Sequence, residues 1–160
     1  MRSTIGCVLF LLAAGAVPAP AQGTFFIEGG PVSASGASDL QLGFRASRAR
    51  FSGAGIDFAL ATIPSGFSQG IVLLMPDLDA DLRTRLGDRS AFCVRLGGSS
   101  LIGFSGGGSG SGFGFNGGVG FVSRVGSSVA LRVDFTYREL FSNGTSLGMS
   151  SLTFGLGIGG

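Results

Sequence analysis

From residue 24 to residue 158 the chain alternates. Apolar side chains recur at every second position, which is the period of a β-strand with two unlike faces. The run Val129 to Arg138 shows it most plainly. Val129, Leu131, Val133, Phe135 and Tyr137 share one face, and Ala130, Arg132, Asp134, Thr136 and Arg138 share the other. The same pattern sets Leu40, Leu42 and Phe44 against Gln41, Gly43 and Arg45, and Ile56, Phe58 and Leu60 against Gly55, Asp57 and Ala59. Further along, Phe92, Val94 and Leu96 alternate with Cys93, Arg95 and Gly97. Phe113, Phe115, Val119 and Phe121 oppose Asn116, Gly118, Gly120 and Arg124. Leu152, Phe154, Leu156 and Ile158 oppose Thr153, Gly155 and Gly157. Phe25 and Ile27 flank Glu28 in a weaker case.

Turn residues divide these runs into eight expected strands, 24–33, 38–48, 51–62, 70–86, 89–104, 113–125, 128–140 and 147–158. The dividers are Ser35-Gly36, Pro64-Ser65-Gly66, Gly87-Asp88, Gly106 to Gly112, Gly126-Ser127 and Asn143-Gly144. One segment reads two ways. Over 76–87, Leu78, Ala80, Leu82, Thr84 and Leu86 alternate with Asp77, Asp79, Asp81, Arg83 and Arg85, as in a strand. The same leucines at intervals of four, with Asp79–Arg83 and Asp81–Arg85 as i,i+4 pairs, also fit a helix. The period of the neighbouring segments favours the strand.

The first residues are an address. Arg2 precedes an apolar core, Ile5 to Ala16, and Ala19-Pro20-Ala21 is a small-x-small cleavage site. The core is too short to span a bilayer as a helix, which takes about 20 residues. A signal peptide over 1–21 and a mature domain over 22–160 are therefore expected. Cys7 falls in the signal, which leaves Cys93 without a disulfide partner in the mature chain. No later run is long and apolar enough for a membrane-spanning helix.

Alternation alone does not say whether the apolar face lines a core or meets lipid. A soluble barrel that carries an apolar ligand has the same period with the sense reversed. Composition favours lipid. Only 12% of residues are charged and the mean hydropathy is +0.50, whereas a soluble domain carries roughly 25% charge. Many of the 31 glycines sit on the polar face. Inside an eight-stranded barrel, where side chains fill the space, they would make room for arginine. The connections after the second, fourth and sixth strands read as tight (Ala49-Arg50, Gly87-Asp88, Gly126-Ser127). Those after the first, third, fifth and seventh read as longer (34–37, 63–69, 105–112, 141–146). That asymmetry is expected of short periplasmic turns and longer external loops.

The signal peptide, the eight alternating segments, the strand VALRVDFTYREL and the closing strand SLTFGLGIGG together resemble the small outer-membrane β-barrel family. This is the porin-like group that includes the transmembrane domain of outer membrane protein A. The resemblance implies an all-β fold, an eight-stranded antiparallel up-and-down transmembrane β-barrel. It also implies contact with outer-membrane lipid and lipopolysaccharide, and insertion by the outer-membrane assembly machinery.

Little in the sequence points to chemistry. There is no His, which excludes Ser–His or Asp–His hydrolysis, and one mature thiol makes a Cys/His metal site implausible. Asp77, Asp79 and Asp81 lie in a line on one strand face and not around a point, so pairing with Arg83 and Arg85 is expected in place of a cation. Gly112 to Gly117 matches G-x-G-x-x-G but lacks the strand and helix that a dinucleotide site needs. Asn143-Gly144-Thr145 reads as a turn, and Gly106 to Gly112 as a flexible loop. No cofactor is implied. The basic residues form no cluster along the chain, so nucleic acid is not an expected partner. The expected role is structural or surface-interacting and non-enzymatic. The lumen would be plugged by pairing Asp57, Asp77, Asp79, Asp81 and Asp134 with Arg83, Arg85, Arg95, Arg124, Arg132 and Arg138.

Overall fold

In a computed structural model the described residues are 23–49 and 52–159. The expected signal peptide, 1–21, and Arg50 of the second turn lie outside them. The described residues form eight strands: β1 (Thr24–Ala34), β2 (Ala37–Arg48), β3 (Gly53–Thr62), β4 (Val72–Arg85), β5 (Ser90–Ser105), β6 (Gly108–Arg124), β7 (Val129–Ser142) and β8 (Thr145–Gly159). Each pairs antiparallel with its neighbour in sequence, and β1 pairs with β8, so the sheet closes into an up-and-down barrel. No helix among the described residues is long and apolar enough to cross a membrane; the one helical piece is a short 3-10 turn at Pro64–Gln69.

The contested segment is a strand. Asp77, Asp79 and Asp81 are buried in the lumen, while Leu78 and Leu82 are each 60% exposed on the outer wall. Leucines at intervals of four satisfy both periods. The aspartates decide it, because a strand places all three on the inner wall, where Asp77 and Asp79 meet arginines from other strands.

Parity is kept around the whole barrel. Phe25, Ile27, Ile56, Leu96, Phe115, Leu131, Phe135, Phe154 and Ile158 are exposed on the outside. Glu28, Gln41, Arg45, Asp57, Arg95, Asn116, Arg132 and Thr153 are buried inside. This is the reverse of a soluble carrier barrel, whose apolar face would line the cavity.

The expected loop asymmetry is overturned. Three of the four connections read as long are two-residue turns: Ser35-Gly36, Gly106-Gly107 and Asn143-Gly144. The turns read as tight run to four residues, as in Leu86–Arg89 and Val125–Ser128. The cause is local. Ser35 and Asn143 have φ of 49° and are each followed by a glycine at φ 82° or 79°. Two successive positive φ values match the twist of a two-residue hairpin. The Gly106–Gly112 segment is likewise a paired hairpin, with Ser105 opposite Gly108 and Gly103 opposite Gly110. Residues expected in loops instead lengthen the strands beyond the body of the barrel. Among these connections only 63–71 is long, and the Ser65 hydroxyl ties it to Asp39.

Two ladders are interrupted. The β1–β8 register passes over Gly30 and Pro31, and the β4–β5 register passes over Met75 and Pro76. Proline has no N–H to give, and a closed barrel has no free edge on which to place one.

Candidate functional site: the charged lumen

Each inward side chain is placed by strand parity, and antiparallel register then brings distant residues together. Arg45 on β2 lies at the centre. Its Nε and Nη2 reach the two Glu28 oxygens at 3.1 and 3.3 Å, and its Nη1 is 3.3 Å from Asp79 and 3.7 Å from Asp57. Arg132 bridges Asp134 at 2.5 Å and Asp57 at 2.9 Å. Arg95 reaches Asp134 at 2.9 Å and Asp79 at 3.8 Å. Arg83 joins Asp81 at 2.7 Å and Asp57 at 3.6 Å, and also donates to the Ser47 hydroxyl. Above this layer a smaller group forms, in which Arg138 meets Asp77 at 2.6 Å and Ser151 at 3.0 Å. Ser99 donates to the same Asp77, and Asn116 donates to Ser99.

Inward glycines make these contacts fit. A Cβ on Gly120 would fall 1.9 Å from Asp134 Oδ1. One on Gly97 would fall 2.1 Å from the Leu78 carbonyl and 2.4 Å from Asp79 Oδ1. With neither side chain present, the two carboxylates that flank Arg95 can lie against the wall.

Nine of the eleven residues proposed from sequence lie buried in the lumen: Asp57, Asp77, Asp79, Asp81, Arg83, Arg95, Arg132, Asp134 and Arg138. Two do not. Arg85 and Arg124 have inward parity but close their strands at the rim, where both are exposed. Arg85 pairs with Asp88 in the adjoining turn at 3.3 Å and not with an aspartate of the line. Parity gives direction but not depth, so strand ends read from sequence as interior fall outside the closed body. Asp77 and Asp79 also take other partners than expected, Arg138 and Arg45, which reach them from other strands, while Asp81 keeps Arg83 of its own strand.

Sequence reasoning missed Glu28 and Arg45. Both had the right parity and were assigned to polar faces; nothing in sequence shows that they converge. It also missed that the charged layer is enclosed by apolar side chains at both ends. Towards the hairpin end, Val32, Ala61, Met75, Leu140 and Met149 form a buried cluster. Towards the end that holds the termini of β1 and β8, Phe26, Cys93, Val122 and Ala130 form another. The Phe26 ring lies 5.4 Å from the Arg132 guanidinium carbon, a cation–π contact that floors the ion-pair layer. The signal was present: Met75 and Leu140 are apolar residues of inward parity next to Asp77 and Arg138.

Chemically the lumen is an interior of buried, paired charges. Among the described residues no group of three acidic, His or Cys side chains could hold a metal ion. On the outer wall, Tyr137 donates to Glu139 at 2.5 Å, a polar pair within an apolar surface.

A closed, eight-stranded, antiparallel up-and-down barrel is the fold of the small outer-membrane barrels, and the chain has that fold. Among solved structures it is similar to neisserial surface protein A, with 14% identity, 88% of this chain and 98% of that chain covered, and a TM-score of 0.61. It is similar to the N-terminal β-barrel domain of Pseudomonas aeruginosa OprF, with 12% identity, 86% and 99% covered, and a TM-score of 0.58. It is also similar to Ail, the attachment invasion locus protein of Yersinia pestis, solved with the heparin analogue sucrose octasulfate, with 15% identity, 86% and 98% covered, and a TM-score of 0.55. No protein-family model and no curated protein matches the chain.

Proposed function

We propose that residues 1–21 direct export and that residues 22–160 form a bacterial outer-membrane barrel with a structural or surface-interaction role and no enzymatic activity. The wall meets lipid and lipopolysaccharide, and the outer-membrane assembly machinery inserts the chain. The carrying observation is the inversion of faces: apolar side chains exposed around the wall, charged ones buried within. In water that arrangement would leave a large apolar surface wet. In a bilayer the closed ladders satisfy the backbone and the wall matches the hydrocarbon. The two apolar clusters support a sealed lumen, since water that reached the ion pairs would first have to pass Met75 and Leu140 or Phe26 and Val122. Ail, with its bound sugar analogue, illustrates a surface role on this fold.

Fractionation of cells that express the full chain tests the reading. The mature protein, beginning at Gln22, should sediment with outer membranes and resist carbonate extraction. Its purified barrel should give no stable conductance steps in planar bilayers. Recovery from the soluble periplasm would restore the carrier reading, and large ohmic steps would refute the seal.

A further inference from the structure

The outer wall is not evenly clad. A groove of about 350 Å³ crosses it from β3 to β6. Phe58 and Leu78 stand on one side and Phe113 on the other, all three exposed, and Pro76, Gly98 and Ser100 line the rest. The register sets Gly98 between Leu78 of β4 and Phe115 of β6. A position without a side chain is thus flanked by large apolar ones. Gly98 lies beyond Arg95 of the charged layer, towards the hairpin end.

Packing within the barrel does not call for the missing side chain. Beyond its chain neighbours, a Cβ on Gly98 would come no closer than 3.9 Å to any group, the Gly114 carbonyl, and Gly98 has no positive φ. The inward Gly97 and Gly120 differ, since a Cβ on either would strike a carboxylate. The hollow also lies over the interrupted part of the β4–β5 ladder, where Pro76 stands opposite Ser100 and has no N–H to give it. Asp77 borders the groove as well, but it is buried and bonded to Arg138 and Ser99, so its charge is not bare to the hollow.

We propose that this groove seats one hydrocarbon chain of a lipid from the leaflet that meets the hairpin end of the barrel. The inference rests on the membrane reading above. The bilayer core offers no water to fill a hollow in the wall, and an apolar hollow stays dry in any case. Left empty, its lining would forfeit dispersion contacts, and the solvent at hand is acyl chain. The volume is about twice that of a cavity that binds benzene, room for roughly a dozen carbon atoms. Because the sheet fixes both sides, the site is preformed, and a chain in it should stay longer than one on the convex wall elsewhere.

The test uses the mature barrel folded into phosphatidylcholine vesicles, with part of the lipid carrying a photoreactive diazirine on one acyl chain. After illumination, labelled positions are read by peptide mass spectrometry. Leu131 and Leu156, exposed on the wall away from the groove, are scored first. No label there overturns the membrane reading and the groove with it; label there without an excess at the groove overturns the groove alone. Pro76, Leu78 and Phe113 should carry several-fold more label than Leu131 and Leu156. Gly98→Leu, which fills the hollow, should bring the excess down to the level of the wall. Gly117→Leu, at an outward position paired with Leu96 and Tyr137 and outside the groove, should leave it. Phe113→Ala, which removes one side, should lower the label at Pro76 and Leu78, and so gives a reading even if Gly98→Leu does not fold. The proposal fails if folded Gly98→Leu keeps the excess, if Phe113→Ala leaves it unchanged, or if Gly117→Leu removes it equally. It fails too if the excess falls as more barrel is packed per lipid, which would seat a second copy of the chain in the groove.

Discussion

Replacing Arg132 with leucine should cost the folded barrel about 3–5 kcal/mol, the penalty for removing one partner of a buried ion pair. Arg132 holds two carboxylates, Asp134 at 2.5 Å and Asp57 at 2.9 Å, and all three side chains are at most 1% exposed. Leucine would leave both acids short of a partner behind the apolar clusters and would remove the cation that faces Phe26. Arg85→Leu is the control. Arg85 pairs with Asp88 at the rim, with side chains 55% and 97% exposed, and a pair so wet contributes about 0–1 kcal/mol at most. Denaturant titration of both variants in lipid vesicles measures the difference. Equal losses would mean that the lumen is as wet as the rim.

An arginine introduced on the outer wall should be nearly as damaging, for a different reason. Leu96 is 71% exposed and follows Arg95, which lies in the ion-pair layer midway between the two apolar clusters. Leu96 therefore sits at mid-height on the wall. Leu96→Arg should cost about 2–4 kcal/mol in a bilayer, and Val129→Arg, at the start of β7, about 0–1. The depth dependence carries the meaning. If the two substitutions cost the same in the vesicle titration, hydrocarbon does not surround the wall.

Strand number, order and facing were legible in the sequence because a period of two is read from side chains without knowing their partners. Val129 to Arg138 announces both faces of β7, and Asp77, Asp79 and Asp81 announce an inner wall on β4. Partners were not legible. Arg138 finds Asp77 across 61 positions of chain, and closure of the sheet alone brings them together. Depth was not legible either, which is why Arg85 and Arg124 were placed inside. Glycine misled in the connections: Gly106 to Gly112 has the composition of a flexible loop, yet two facing strands of small residues pair well enough to extend a hairpin.

The interrupted ladders at Pro31 and Pro76 divide the ring. Both fall on joints between the same two half-shells, β1–β4 and β5–β8. Their lumenal charges are opposite in sign. The first half-shell contributes Glu28, Asp57, Asp77, Asp79 and Asp81 against Arg45 and Arg83, and the second contributes Arg95, Arg132 and Arg138 against Asp134. Three ion pairs join them across the lumen: Arg132 to Asp57, Arg138 to Asp77 and Arg95 to Asp79. Neither half can neutralise itself. A half-built barrel would carry its surplus charge bare into hydrocarbon, so closing the ring and discharging its interior are one event. The interrupted lines of the sheet are thus bolted from within by the side chains that most need it shut.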